Sequence, residues 1–170
     1  MSSSDACASC AVQTQRRDFL RGLAASATTA LLAVGVTPAA ARAFVVALGE
    51  ATERRGNQVS YPVPAADSAT IDRANEVIVV RFQNVGYAFA LSCPHQNTSL
   101  KWLPNDGVFQ CPKHKSRYRP DGSFIEGRAT RGMDRYAVTR DGDKMLVDLD
   151  TVFEQDKQGA QWSSAQVSLA

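Results

Sequence analysis

Both histidines of this 170-residue chain stand within three residues of a cysteine. The two segments read Cys93-Pro94-His95 and Cys111-Pro112-Lys113-His114, with fifteen residues between them. No other histidine exists, so this pairing is hard to obtain by chance, and it limits the fold more than any other feature. Each segment follows a short apolar run: Tyr87 to Ser92 leads into Cys93, and Gly107 to Gln110 leads into Cys111. Each pair therefore sits on a loop at a strand end. The proline after each cysteine fixes one backbone angle and stiffens that loop.

The rest of the body reads as short strands and turns. Val77 to Phe82 is rich in β-branched residues, Asn84-Val85-Gly86 is a turn, and Tyr87 to Ser92 alternates large and small residues, which together predict a hairpin. Arg135 to Arg140, Asp141-Gly142-Asp143 and Lys144 to Asp148 predict a second. Pro120-Asp121-Gly122 is a turn, and Ser123 to Glu126 a short strand. The expected fold class is all-β: a small antiparallel β-sandwich or barrel-like domain whose loops carry the site. Residues 59–153 form this domain, 44–58 a linker or short helix, and 154–170 a polar C-terminal tail that packs on a partner.

Two thiolates and two imidazoles suit either of two metal sites. Tetrahedral zinc accepts them, but its usual spacing is a close Cys pair followed by a His pair. Alternating Cys-x-His segments instead suit a binuclear iron–sulfur site, with two Cys on one iron and two His on the other. Neutral imidazoles leave such a cluster less negative than four thiolates would, so its potential is higher, roughly −150 to +300 mV.

On these two boxes, residues 59–150 resemble the Rieske [2Fe–2S] family. The resemblance implies that Cys93 and Cys111 bind one iron and His95 and His114 the other. It also points to a subtype. Ser116 and Tyr118 stand two and four residues after His114. In the high-potential branch of the family, a Ser there donates to a bridging sulfide and a Tyr to a ligand sulfur, which raises the potential. Many Rieske subunits of cytochrome bc-type complexes also staple the two loops with a second Cys pair. Those positions here are Thr98 and Lys113. The staple is absent, and packing by Leu100, Trp102 and Phe109 is expected to replace it. The segment Gly127-Arg128-Ala129-Thr130 resembles the small Rieske subunit of arsenite oxidase rather than the Gly-Pro-rich loop of the bc-type subunits.

Residues 1–43 read as an address. Arg16-Arg17 followed by Phe19-Leu20 resembles the twin-arginine export signal, and a run from Leu23 to Ala41 carries no charge. Ala41-Arg42-Ala43 has the form of a cleavage site. Residues 22–41 are also about long enough to anchor the chain in a bilayer if uncleaved. The twin-arginine route carries folded, cofactor-loaded proteins, so address and metal site support one another. Cys7-Ala-Ser-Cys10 has the spacing of a redox pair but lies upstream of the arginines. It is expected to remain in a flexible cytoplasmic tail without a role.

The expected function is periplasmic electron transfer as one subunit of a respiratory complex. Electrons would come from a quinol-oxidising or molybdenum-containing larger subunit and leave to a cytochrome c-like acceptor. The alternatives are a Rieske ferredoxin feeding an oxygenase, and a zinc-binding interaction module. The export signal, Ser116 and Tyr118 speak against the first, and the spacing against the second. The net charge of +2 gives no case for nucleic-acid binding. The charge is uneven, however. Lys101, Lys113, Lys115, Arg117, Arg119, Arg128, Arg131 and Arg135 crowd the ligand boxes, and acidic residues dominate the C-terminal side.

Overall fold

A computed structural model describes residues 44–170. They fold into two sheets. The larger has nine strands, in the order β1 (Val45–Leu48), β4 (Ser68–Asp72), β5 (Val77–Phe82), β6 (Val85–Ala90), β11 (Arg135–Asp141), β12 (Lys144–Phe153), β3 (Gln58–Pro62) and β2 (Glu53–Arg55). The ninth, β13 (Val167–Ser168), also pairs with β6. All pairings are antiparallel except β1 with β4. The smaller sheet, between β6 and β11 in the chain, runs β10 (Phe124–Glu126), β9 (Arg117–Tyr118), β8 (Val108–Gln110), β7 (Lys101–Leu103). The all-β expectation holds.

Strand β5 shows why the large sheet must curl. Val77, Ile78, Val79 and Val80 are all buried, although successive side chains point to opposite faces. Ile78 and Val80 join a cluster with Phe89, Phe109 and Tyr118, whereas Val77 and Val79 join another with Tyr61, Met145 and Val147. Both faces of the central strands are therefore covered, as in a sandwich. The first cluster also contains Cys93 and Cys111, so the ligand loops grow out of the core.

Three local expectations need correction. The first hairpin turns at Gln83-Asn84, both with positive φ (52° and 61°), not at Asn84 to Gly86. Positive φ at both turn residues matches the twist of the flanking strands. Gly86 is within β6, where a Cβ would stand 2.8 Å from Met145 Cε. Its small size serves packing, not turning.

Residues 44–58 contain strands β1 and β2 instead of a linker or helix, because β1 finds a distant partner in β4 and β2 turns back at Gly56-Asn57 to pair with β3. Residues 154–170 pack on their own domain. They form α1 (Gly159–Ser164) and β13. Trp162 is buried, and its Nε1 donates to the Met133 carbonyl at 2.7 Å. The Arg135 guanidinium lies 3.7 Å from the Trp162 ring centre and donates to the Trp162 carbonyl. The anchor expected at 22–41 lies outside the described residues. Among the described residues no helix is long and apolar enough to cross a membrane.

Asp72, buried at the end of β4, ties β3, β4 and the chain before β2 together. One carboxylate oxygen accepts the Ala51 amide, the Tyr61 hydroxyl and the Asn75 side chain, and the other accepts the amides of Ala74 and Asn75. Burial pushes the Asp72 carboxyl up, but the donors from Asn75, Tyr61 and Ala51 outweigh it and hold it below its usual range. Its stabilising contribution is thus present above the unfolded-state value of about 3.9 and lost as pH falls through the lower folded value. Asp72→Asn is expected to cost about 1–3 kcal/mol at neutral pH. Denaturant titrations should show the gap between wild type and variant closing in acid below about pH 4.

Candidate metal centre

The two ligand loops are one structure built twice. In the first, the Cys93 amide donates to Thr98 O, and the Asn97 amide to Cys93 O, both at 2.9 Å. In the second, the Cys111 amide donates to Ser116 O at 2.9 Å, and the Lys115 amide to Cys111 O at 3.0 Å. Asn97 and Lys115 both have positive φ, 50° and 60°. The loops follow β6 and β8, and each closes back over its cysteine. Cys93 and Cys111 are equivalent, as are Pro94 and Pro112. The histidines are not: His95 is two residues after its cysteine and His114 three.

That offset sorts the donors by chemistry. Cys93 and Cys111 point inward and are 0% and 1% exposed, each a free thiol. His95 and His114 are half-buried, with their Nδ1 atoms 3.1 Å apart and ring centres 4.9 Å apart. The structure thus gathers all four expected donors, as a buried sulfur pair and an outer imidazole pair.

The surroundings match those roles. Burial pushes the Cys111 thiol up, but the backbone amides of His114 and Lys113 and the side chains of Cys93 and Thr98 outweigh it, bringing it below the ordinary thiol value. Such surroundings favour a thiolate. Burial, then the neighbouring His95, Arg128 and Lys113, hold His114 below the usual imidazole value, so the ring is neutral at neutral pH. A neutral imidazole is the form that binds metal.

Tyr118 and Ser116 are both fully buried beside this group. Tyr118 Oη lies 3.4 Å from Cys93 Sγ. Burial, then the Cys93 sulfur, raise the Tyr118 phenol far above its ordinary value, so it keeps its proton to donate. Ser116 Oγ accepts the Ala129 amide at 3.0 Å, and its own proton remains available to donate.

The donor set fits a binuclear cluster better than a single ion. Among the described residues no three Cys, His, Asp or Glu side chains gather around one point, as tetrahedral zinc would require. Two nitrogens bound to one tetrahedral metal at about 2.0–2.1 Å stand roughly 3.3–3.4 Å apart. The imidazole pair, at 3.1 Å, is close to that spacing.

The family model of the Rieske [2Fe–2S] domain matches residues 58–138. The chain carries a Rieske domain. The cofactor of such a domain is a [2Fe–2S] cluster. Among curated relatives, cytochrome b6-f complex iron-sulfur subunit 1 of Synechocystis is 53% identical over 38 residues, 22% of this chain. That match, like one to subunit 3 of a Nostoc strain, spans only 21% of the relative's length. The cytochrome b6-f complex iron-sulfur subunit of a Synechococcus strain is 25% identical over 146 residues, 76% of this chain and 84% of the relative. Among solved structures, a plasma membrane Rieske protein of Synechocystis matches with 24% identity and a TM-score of 0.39, over 54% of this chain and 85% of that one.

Sequence reasoning missed what braces the Rieske loops. Gly127 has φ of +111°, and a Cβ there would lie 2.3 Å from Ser116 Cα and 2.7 Å from Ser116 N. Only glycine allows this segment to press on the second loop. Thr98 is the counterpart of Ser116, a relation that sliding one box onto the other by eighteen residues would have shown. The expected packing is present: Leu100 and Phe109 are buried, and Trp102 lies edge-on to Phe109 and tilted against Phe44, with ring centres at 4.9 and 4.8 Å. Arg135, grouped by sequence with the cations of the boxes, is instead buried beneath Trp162. Arg16 and Arg17 lie outside the described residues.

Gly127→Ala is expected to displace Ser116 and cost more than about 2 kcal/mol, because backbone, not a movable side chain, blocks the new methyl. Cluster content per chain and thermal midpoint should both fall.

Proposed function

We propose that this chain is a periplasmic electron relay in which Cys93 and Cys111 hold the buried iron of the cluster and His95 and His114 the outer one. The observation that carries the reading is the division of the donors into an inner sulfur pair and an outer imidazole pair. When bound, the cluster supplies one-electron transfer. The chain supplies the rest. The twin loops fix the donor positions, and the core shields the sulfurs from water. The half-buried imidazoles offer the short route by which an electron reaches a partner.

Tyr118, donating to Cys93, and Ser116, with its free proton, act on the potential. Hydrogen bonds to the sulfurs stabilise the more negative reduced state. The paired Nδ1 atoms leave the Nε2 of each ring available. With a quinol donor, that nitrogen would take up the proton that accompanies the electron.

The proposed donor is a larger subunit, quinol-oxidising or molybdenum-containing, and the proposed acceptor a c-type cytochrome. That these relatives are subunits of cytochrome b6-f complexes supports partnership with larger chains. Export by the twin-arginine route, with residues 22–41 either removed or retained as an anchor, is part of the same reading and rests on Arg16-Arg17.

Purified protein should show visible absorption and an EPR signal that appears only on reduction; a colourless, zinc-loaded protein would sink the reading. A hydrogen bond to a charged group is worth about 1.5–3 kcal/mol, and 1.4 kcal/mol corresponds to about 59 mV for one electron. Because the hydrogen bond stands in both redox states, only its strengthening on reduction counts, and Tyr118→Phe is expected to keep the cluster and lower its midpoint by on the order of 50 mV, read by redox titration. Replacing both Arg16 and Arg17 by Lys should leave cluster-bearing protein in the cytoplasm on cell fractionation; unchanged export would exclude the twin-arginine route.

A further inference from the structure

Charge divides along this chain. Residues 93–131, which carry the ligand boxes, hold seven Lys/Arg against three Asp/Glu, whereas residues 132–170 hold four against seven. The ion pairs sharpen the division. Arg117 binds Asp106 and Glu126, two of the three carboxylates in the basic segment. Arg131 is engaged by Asp134, Glu154 and Asp156. Arg135 is buried.

Arg119 is exposed and donates to Ser123 Oγ, and four further cations of this segment are exposed: Lys101, Lys113, Lys115 and Arg128. None has a carboxylate partner among the described residues. They belong to the segments that carry or adjoin the ligand loops. Lys113 and Lys115 flank His114 in sequence, and Lys113 and Arg128 are near enough to act on its ring electrostatically. Lys101 pairs in β7 with Gln110, the residue before Cys111. Elsewhere on the domain, Lys144 and Lys157 are paired with Glu53 and Glu154, and the exposed Arg54, Arg73 and Arg140, without a carboxylate partner among the described residues, are spread along the sequence instead of clustered.

We infer that the face around His95 and His114 is a docking surface for a soluble electron-carrier protein whose own redox centre is ringed by acidic side chains. This rests on the electron-relay reading above and adds the chemistry of the partner. An electron passes only when the two centres come close, so the partner must cover the imidazoles. Four unneutralised cations around that spot attract an acidic face and repel a basic one. An anionic membrane would also attract them, but a bilayer lying on this face would block the imidazoles from any protein carrier.

The test uses the full-length, cluster-loaded protein in stopped flow, with an acidic blue-copper protein as one carrier and a lysine-rich c-type cytochrome as the other. With the acidic carrier, the second-order rate is expected to fall about tenfold or more between about 10 and 300 mM salt. With the basic carrier it should be slower at low salt and rise with salt. Arg128→Glu should slow the acidic carrier about three- to tenfold at low salt, with the midpoint potential measured alongside to separate docking from driving force. Lys101→Glu serves the same purpose if Arg128→Glu loses its cluster. Arg55→Glu, at the other edge of the large sheet, makes the same charge change and should alter the rate less than about twofold.

A salt-independent rate, faster reaction with the basic carrier, or equal slowing by Arg55→Glu would overturn the proposal. So would tight binding to anionic phospholipid vesicles that Arg128→Glu abolishes while carrier rates stay unchanged. Absence of a cluster would defeat the relay reading separately. Docking would then be decided by equilibrium binding of the acidic carrier to the same protein: salt-sensitive binding upholds it, and no binding overturns it.

Discussion

Everything at the metal centre depends on a backbone hydrogen-bond pattern used twice. Each ligand cysteine donates its amide five residues ahead and accepts from the amide four residues ahead. The two bonds close a loop around the sulfur, and the residue four after each cysteine pays with positive φ. Because the pattern is repeated, both sulfurs face the same interior point. The one-residue difference in histidine position then does its work at the outside, bringing the two rings together from unequal places on equal loops. Sulfur inside and nitrogen outside is a consequence of backbone geometry.

Loops of this kind are stapled by a disulfide in many related subunits. Here Cys93 and Cys111 are the only cysteines among the described residues, and both are free. Contact from three sides replaces the staple. Leu100 and Phe109 anchor the loops to the core. Trp102 is held between Phe109 and Phe44, which ties the small sheet to the chain entering the domain. Gly127 presses its backbone on Ser116, while Ala129 donates to the same hydroxyl. Packing of this sort is as directional as a covalent link only while every piece is present, since interiors are close-packed and tolerate little change.

Electrostatics and packing also divide the domain's labour. Charges that hold the fold together are paired or buried, as with Arg131 among its three carboxylates and Arg135 against Trp162. The cations around the imidazoles do neither. Unpaired surface charge adds little to stability but acts over a Debye length on whatever approaches. That separation leaves paired charge to brace the fold and unpaired charge at the histidines.

The four donors, the all-β class and the central hairpin were legible in the sequence, because each rests on local chemistry. Cys-x-His spacing limits what can bind, and a run such as Val77 to Phe82 has few alternatives to a strand. The Ser116 and Tyr118 positions were legible only through resemblance to a family. What the sequence could not show is what depends on contacts between distant segments. Val45–Leu48 is a strand because β4 lies beside it, and Trp162 is core because Arg135 and the Met133 carbonyl wait under it. Gly127 reads as an ordinary loop glycine until Ser116 is placed against it. The tertiary structure alone decided which cations are free, since pairing of Arg117 or Arg131 depends on carboxylates brought in from other segments. Local chemistry named the candidate ligands; the close approach of remote segments built the site around them.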